Sequence, residues 1–390
     1  MTHIPVVAQR DADSEVFIAR TRIEAEPPPA LVAGPIGWMR QNLFSSVFNT
    51  ALTLFVLYLL WIVIPPAFKF LITDAVWTGA NRDACREEVI GRPVGACWAF
   101  IWDKINYFIY GSYPITSRWR VNIFFVMLAV GVVWLLWPRA PRKGLGAIYF
   151  FVVFPIASYI LLVGAPSIGL SDVPTSLWGG ILVSMLVATV GIVFSLPLGV
   201  LLALGRRSRM PIVRMLSVIF IEFVRGVPLI TVLIMANTML PLFLPGGWTV
   251  DRLLRPLVGV ALFAAAYMAE IVRGGLQALP KGQYEGAASL GLGYWQSMYL
   301  IILPQALRIV IPGIVNTFIG LFKDTTLVAV IGIFDFVRTI EASRIDPVWA
   351  APTINTTGYA FAAIFYFIFC FAMSRYSMYV ERRLAAGQRR

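Results

Sequence analysis

Charged side chains interrupt long apolar stretches at a few positions in the second half of the chain. They are Glu222, Arg225, Glu270, Lys323 and Asp324. A charge placed in the hydrocarbon of a bilayer costs about 2.5–3.5 kcal/mol on insertion scales, so such a residue faces a protein interior or an aqueous path. The carboxylates are scattered and no histidine lies near them. This chemistry suits ion pairing or the binding of a charged solute better than acid–base catalysis.

The stretch 213–244 is predicted to be a broken helix. As one straight helix it would be about 48 Å long, which exceeds a hydrocarbon core of roughly 30 Å. The sequence Gly226-Val227-Pro228 supplies the break. Glycine is permissive, proline lacks an N–H, and the residue before a proline avoids the helical region.

Glu222 and Arg225 lie three residues apart just before this break and would share a helix face. In a functional interpretation they line a substrate path. The positive end of a helix beginning near Pro228 would then meet the carboxylate of an amino acid, and Glu222 would bind its ammonium group. In a structural interpretation they form an ion pair that only holds the bundle together. For Glu270 and Arg273, at the inner end of another span, an interfacial pair is expected.

Lys323, Asp324 and Thr325 form a second polar group, within the apolar run 309–333. Asn316 lies two helical turns before Lys323 on the same face. We expect an interior ion pair or a polar lining here. The predicted substrate path therefore comprises Glu222, Arg225, Asn316, Lys323, Asp324 and Thr325.

The residue types that most often carry chemistry are scarce. The only histidine, His3, lies in a polar tail, which nearly excludes histidine triads, histidine metal sites and proton relays. The cysteines, Cys85, Cys97 and Cys370, are too few and too scattered for a zinc or iron–sulfur site. Cys85 and Cys97 would pair in an oxidising compartment, but their separation permits a disulfide without showing one.

The composition indicates a membrane protein. Of 390 residues, 59% are hydrophobic and only 13% are charged, whereas about a quarter of the residues of a soluble protein are charged. One interior cannot hide so many apolar side chains, so the excess must face lipid. The net charge of +12 is expected in cytoplasmic loops rather than at a nucleic-acid site, because no basic run is interleaved with aromatic residues.

Eight stretches are long and apolar enough to cross a bilayer, which takes roughly 20 residues. They are 44–68, 121–137, 144–164, 178–204, 213–244, 256–274, 308–333 and 358–380. The loop 205–214 carries four arginines and the loop 165–177 carries no lysine or arginine, which places both termini in the cytoplasm. The predicted regions are a cytoplasmic polar tail (1–43), a three-helix membrane extension (44–175) with a periplasmic loop (66–120), and a core (176–385).

The inside segment 275–307 does not have the composition of an ordinary loop. Residues 282–293 are predicted to form a short helix with small side chains on one side, ended by a left-handed cap at Gly291 or Gly293. A second helix, from about Tyr294, runs into the seventh span. Small residues let another surface approach closely, which indicates a helix that docks into a groove. The alternative is an amphipathic helix lying on the membrane.

Several motifs in the second half of the chain resemble one family. Glu285-Gly286-Ala287, followed by Gly291 and Leu303-Pro304, is similar to the Glu-Ala-Ala loop of permease subunits of bacterial ATP-binding-cassette (ABC) importers. Gly286 stands where that family usually has alanine. The motifs that resemble its polar amino-acid branch, the histidine, glutamine and arginine type, are 222–228, 269–275, 280–283, 303–306 and 323–327. The long form, with three extra spans, resembles the larger permease of general L-amino-acid uptake systems.

The resemblance implies a permease that moves L-amino acids, such as glutamate, glutamine, aspartate and asparagine, from periplasm to cytoplasm by alternating access across a bacterial inner membrane. It implies an all-α membrane protein of eight transmembrane helices, with a type I importer core in the last five. Its partners would be a cytoplasmic ABC ATPase dimer, a paralogous permease and a periplasmic solute-binding protein. The helix in 275–307 would be the coupling helix, which contacts the ATPase through Gln283, Glu285, Gly286, Ala287, Leu290 and Gly291.

No phosphate-binding loop of the form Gly-x-x-x-x-Gly-Lys-Ser/Thr occurs in the sequence. No cofactor is therefore expected on this chain, and ATP and magnesium would be bound by the partner ATPase. An ion-gradient-driven secondary amino-acid transporter is the alternative, but it predicts charges distributed through both halves. A membrane enzyme needs acid–base groups clustered near one interface, and the scattered carboxylates argue against one.

Overall fold

A computed structural model gives the fold of the chain and describes residues 34–243, 245 and 250–388. The predicted polar tail up to residue 33, His3 included, lies outside the described residues. The last part of that predicted tail forms a helix, α1 (Gly34–Asn42).

The other principal helices follow in chain order. They are α2 (Val47–Thr73), α3 (Trp98–Tyr110), α4 (Ile115–Leu136), α5 (Lys143–Val163), α6 (Gly180–Arg206), α7 (Pro211–Gly226), α8 (Leu229–Thr238), α9 (Leu254–Ala278), α10 (Lys281–Ser289), α11 (Tyr294–Ile331), α12 (Phe336–Ser343) and α13 (Ile354–Gln388). In the part of the chain that the structure describes, extended pairing is limited to isolated bridges. The all-helical class predicted from the sequence is confirmed.

Among the described residues, seven helices are long and apolar enough to span a membrane, and one bent pair is an eighth candidate. The bent pair is α7 and α8, which meet at 108° and occupy most of the predicted stretch 213–244. Gly226 ends α7 and Pro228 caps α8, as the local backbone chemistry predicts. The helix predicted to start near Tyr294 and run into the seventh span is present, and a π-helical turn, Met298–Ile302, lies within it.

The chain divides into two compact units, of which the first is Met1–Thr73. Its long helix α2 begins after Ser46, whose Oγ accepts a hydrogen bond from the Asn49 N–H at 3.1 Å. The helical residues Val47–Phe68 are apolar on all sides and none of them is buried. A helix of this kind is typical of a span surrounded by lipid.

The second unit, Asp74–Arg390, has α6 and α9 at its centre. Glycine lets these two helices approach closely, since a Cβ added at Gly199 would lie 2.6 Å from the Met268 Cβ. One hydrophobic cluster joins them to α4 and α5 through Phe124 and Phe154. Residues 74–175 therefore pack with the later helices in one unit, and the packing has no break at residue 175.

The loop predicted at 66–120 is shorter than expected, because α2 continues to Thr73 and α4 starts at Ile115. It contains α3 and a disulfide between Cys85 and Cys97, whose Cα atoms lie 5.8 Å apart. Both cysteines are buried. The pairing that the sequence left open is therefore present.

This loop packs against the segment that connects α11 to α13. The Trp349 Nε1–H donates a hydrogen bond to Asp103 Oδ2 at 2.8 Å, and Lys104 pairs with Asp346 at 2.6 Å. The hydrogen bond from Lys104 lowers the pKa of the Asp346 carboxyl. These contacts join parts of the chain that lie far apart in sequence.

We call residues 74–114 together with residues 335–353 the cap. It lies where α6 begins, since a Cβ added at Gly111 would lie 2.4 Å from the Gly179 Cα. Gly111 also has a φ of +61°, so this close approach requires glycine. The cap therefore covers the end of the helix bundle opposite to Arg206, the last residue of α6.

Candidate functional site

Helix α10 presents most of the predicted coupling residues at the molecular surface. The exposed ones are Gln283, Glu285, Gly286, Leu290 and Gly291. Leu290 is 74% exposed, so this surface offers a large apolar side chain for contact. Gly291 follows the helix with a φ of +70°, the left-handed cap predicted there, whereas Gly293 is extended.

Ala287 differs from the other predicted coupling residues. Its side chain is buried, with 3% exposed, on the inner face of α10. Tyr284 lies three residues earlier on that face and is half-buried. Because a buried methyl group cannot contact another chain, the prediction that Ala287 contacts the ATPase is not supported, and Ala287 packs within its own chain.

Tyr284 connects α10 to the ends of the two central helices. Its hydroxyl donates a hydrogen bond to the Leu276 carbonyl at 2.8 Å and accepts one from the Arg207 guanidinium at 3.0 Å. Arg207 also donates to the Leu276 carbonyl at 3.1 Å and lies 5.4 Å from the centre of the Tyr284 ring. We call Arg207, Leu276 and Tyr284 the junction. When α10 moves, either the ends of α6 and α9 move with it or the contacts of the junction break.

Five charged residues meet beside the junction, where α6, α7 and α9 come together. This ionic cluster consists of Arg206, Glu222, Arg225, Glu270 and Arg273. Arg206 Nη1 lies 2.7 Å from Glu222 Oε1. Glu270 accepts hydrogen bonds from the neighbouring Arg273, and its Oε2 lies 3.6 Å from Arg206 Nη1 and 3.8 Å from Arg225 Nη1. One carboxylate therefore holds three guanidinium groups from three helices.

The pairing within the ionic cluster differs from one of the sequence-based interpretations. Glu222 and Arg225 do not pair with each other, because Arg206 and Glu270 on neighbouring helices are closer partners. The Arg225 guanidinium also lies 5.7 Å from the centre of the Tyr267 ring. The expected ion pair between Glu270 and Arg273 is confirmed.

The remaining predicted path residues lie towards the end of α11. Asn316 and Lys323 are exposed and Asp324 is half-buried. Within the described ranges neither Lys323 nor Asp324 has an ion-pair partner within 4 Å, so the expected interior ion pair is absent there. Thr325 is 1% exposed and its hydroxyl donates to the Phe322 carbonyl at 2.8 Å. Thr325 therefore satisfies the helix backbone and does not line an aqueous path in this conformation.

The site predicted from the sequence omits Arg206, Arg207 and Tyr284. Arg206 and its partner Glu222 are 16 residues apart, and Arg207 and Tyr284 are 77 residues apart. No local spacing reveals such pairs. Two arginines at the end of a span are also typical of the positive-inside rule, which conceals a more specific role.

The arrangement suits anions better than metal ions. In the described part of the chain, no three or more His, Cys, Asp or Glu side chains are grouped so that they could hold a metal. The ionic cluster has more cations than anions, since three arginines face two glutamates. The ionic cluster is therefore a network of ion pairs that can break when the helices move apart.

Comparisons with known proteins identify a family and several relatives that the chain resembles. Residues 195–386 match the family described as a binding-protein-dependent transport system inner membrane component. The chain is 50% identical over 351 residues to the inner membrane amino-acid ABC transporter permease protein YhdY of Escherichia coli, which covers 90% of this chain and 93% of that protein. It is 41% identical over 436 residues to the glutamate/glutamine/aspartate/asparagine transport system permease protein BztC of Rhodobacter capsulatus, which covers 96% and 99%. The chain is also similar to a solved structure, described as a crystal structure of an amino acid ABC transporter with histidines. The match covers 52% of this chain and 92% of that chain, with 27% sequence identity and a TM-score of 0.45.

The similarity to both permeases extends over nearly the whole chain, including the N-terminal spans. Permeases are transport proteins and not enzymes, and neither relative supports an ion-gradient-driven transporter. The match to the family covers the junction, the ionic cluster and α10 almost completely. The chain therefore belongs to the permease subunits of amino-acid ABC transporters and is a multi-pass membrane protein.

Proposed function

We propose that this chain is one of two permease subunits of an ATP-driven importer that carries acidic and amide L-amino acids from periplasm to cytoplasm. The family implies an ATPase and a solute-binding protein as partners and an amino acid as substrate. The substrate class follows the name of the relative BztC, which gives glutamate, glutamine, aspartate and asparagine. A paralogous permease supplies the second subunit. Both termini lie in the cytoplasm, as the positive-inside rule favours.

One observation carries this proposal: α10 is exposed on its outer face and attached through the junction to the ends of α6 and α9. In the proposed orientation this end faces the cytoplasm, and α10 is the coupling helix that binds the ATPase. The ATPase holds ATP and magnesium, and this chain holds no cofactor. Closure of the ATPase dimer moves α10, and the junction passes that movement to the two central helices.

The remaining groups have distinct places in this mechanism. The ionic cluster, with Glu222 and Arg225, closes the path near the cytoplasmic ends of the helices and must rearrange when the path opens there. Asn316, Lys323 and Asp324 form a polar lining that faces the second permease. The extension, residues 44–175, stabilises the assembly, and the cap faces the periplasm, where the solute-binding protein docks.

Purification from the native membrane tests the proposal. The tagged chain is expected to retain an ABC ATPase and a second permease, and the reconstituted assembly, with its solute-binding protein, is expected to hydrolyse ATP faster when glutamate or glutamine is added. ATPase rate and radiolabelled uptake in proteoliposomes are the measurements. Uptake by the chain alone, driven by an ion gradient without ATP, would contradict the proposal.

Tyr284→Phe is expected to weaken coupling. The change removes a hydroxyl with two hydrogen bonds, each worth about 0.5–3 kcal/mol, but keeps the ring beside Arg207. The ratio of substrate-stimulated to basal ATPase activity should fall roughly threefold to tenfold, with unchanged assembly. Tyr299→Phe is the matched control, because Tyr299 is 77% exposed on α11. Equal ratios for the two variants would contradict the role of the junction.

Lys323→Ala is expected to change substrate selectivity. An ammonium group beside the path attracts an acidic side chain by about 1–4 kcal/mol at 4 Å, depending on local dielectric, and does not attract an amide in this way. The ratio of glutamate to glutamine uptake should therefore fall by roughly threefold or more. Arg308→Ala, which removes an exposed cation about four helical turns earlier on α11, is the control. An unchanged ratio together with lower protein abundance would indicate a structural role for Lys323.

A further inference from the structure

A cavity of about 500 Å³ lies between α5 and the helices α6 and α9. Phe154 and Leu162 of α5 line one side, and Val193 of α6 and Leu257 of α9 line the other. Its volume falls within the roughly 300–1,000 Å³ range of small-molecule sites. Neither the ionic cluster nor the junction contributes to it, so it is separate from the proposed transport machinery.

The cavity runs along the helices at membrane depth. On α6 it extends from Leu186 to Leu198, which is about 18 Å along the helix axis and slightly more than one leaflet of a roughly 30 Å core. Three of its lining residues, Tyr159, Phe194 and Leu262, are also exposed on the outside of the molecule. The cavity therefore reaches the surface where the surrounding medium is hydrocarbon.

Two polar groups stand out in this apolar lining. Ser158 Oγ and Trp178 Nε1 are buried and have no hydrogen-bond partner among the residues that the structure describes. Their residues are 3% and 6% exposed. An indole N–H can only donate a hydrogen bond, whereas a serine hydroxyl can donate one or accept one. A buried donor without an acceptor is unfavourable, so a fitting ligand has an apolar body and acceptor oxygens near one end.

The mouth of the cavity, at the start of α9, is acidic. Asp251 accepts a hydrogen bond from the Thr175 hydroxyl at 2.5 Å and another from the Leu253 N–H at 2.8 Å. Its carboxylate is exposed, and within the described ranges no lysine or arginine lies within 4 Å of it. This charge favours a ligand with an ammonium group at the interface and disfavours an anionic one.

We propose that this cavity binds an acyl chain of a phosphatidylethanolamine-type phospholipid from the surrounding bilayer. The chain lies against Phe154, Val193 and Leu257, and the glycerol ester carbonyls accept from Ser158 and Trp178. The headgroup ammonium pairs with Asp251. The bound lipid fills the space between α5 and the helices α6 and α9.

Photolabelling of the complete transporter tests this site. The assembly is placed in nanodiscs that contain phosphatidylethanolamine with a diazirine in the middle of one acyl chain, irradiated, and mapped by peptide mass spectrometry. We expect adducts concentrated on the peptides of α5, α6 and α9 that line the cavity. Label spread evenly over all lipid-facing helices, or absent from those peptides, would overturn the proposal.

Matched variants test the cavity and the headgroup contact separately. Val258→Trp fills the mouth of the cavity and should reduce labelling of these peptides at least fivefold, whereas Val126→Trp, on an exposed face of α4 away from it, should not. The same diazirine chain on phosphatidylglycerol should label the wild-type cavity at least threefold less, and Asp251→Asn should remove that difference. Equal labelling by both lipids in the wild-type protein would overturn the headgroup assignment. If Val258→Trp fails to fold, the map of labelled peptides in the wild-type protein is the test of the cavity.

Discussion

Glu285→Lys is expected to abolish amino-acid uptake by the assembled transporter while leaving membrane insertion intact. Glu285 is exposed on α10, and in the described part of the chain its carboxylate has no ion-pair partner. The folded chain should tolerate the change within about 0.5 kcal/mol. At a docked interface, losing one partner of a buried charge pair costs about 2–5 kcal/mol, so the affinity for the ATPase should fall more than about tenfold. Uptake into proteoliposomes and ATPase retention during purification are the measurements.

Glu381→Lys is the matched control for this charge reversal, since Glu381 is also exposed and lies near the C-terminal end of α13. It should leave uptake and ATPase retention near wild type. Gly291→Asp should resemble Glu285→Lys, because it adds a charged side chain to the exposed turn after α10, where a φ of +70° favours glycine. Normal transport by Glu285→Lys would remove the assignment of α10 as the coupling helix.

Glu270→Gln is expected to destabilise the permease more than the loss of any other single charge in the ionic cluster. The change leaves three guanidinium groups, from Arg206, Arg225 and Arg273, without their shared carboxylate. Glu270 is 24% exposed, so the cost should lie below the 3–5 kcal/mol of a fully buried pair, at about 2 kcal/mol. The melting temperature of the nanodisc-embedded assembly should fall by roughly 3–6 °C.

Two comparisons isolate the shared role of Glu270. Glu341→Gln removes the same kind of pair three residues apart, with Arg338 at 3.1 Å, but only one arginine lies within ion-pair distance of that carboxylate among the described residues. Glu222→Gln removes a carboxylate that is 53% exposed and that, among the described residues, has Arg206 as its one ion-pair partner. Both should cost less than about 1 kcal/mol. If the melting temperature fell equally for all three variants, Glu270 would not be the centre of the cluster.

Local features of the sequence predict local structure well. The break between α7 and α8 follows from Gly226 and Pro228, whose backbone preferences act within two or three residues. The turn after α10 follows in the same way from Gly291. The ends of the spans are less predictable, because a helix such as α2 continues to Thr73, beyond the predicted end at residue 68.

Partnerships between helices were predicted less well. The three-residue spacing of Glu222 and Arg225 indicates a mutual pair, but each has a closer partner on another helix. The spacing of Cys85 and Cys97 permits a disulfide, and the packing of the cap brings their Cα atoms to 5.8 Å. In both cases the deciding partner or contact is distant along the chain.

The amino-acid sequence alone determined the membrane class, the spans, the broken helix and the existence of an unusual helix between the sixth and seventh spans. Each of these depends on composition, on periodicity or on backbone preferences that act over a few residues. The tertiary structure alone decided that Ala287 faces inward, that Glu270 lies within ion-pair distance of three arginines, and that a cavity lies between α5 and the helices α6 and α9. The physical reason is that ion pairs and cavities form between whichever helices become neighbours, and no local pattern in one helix specifies the side chains that the next will present.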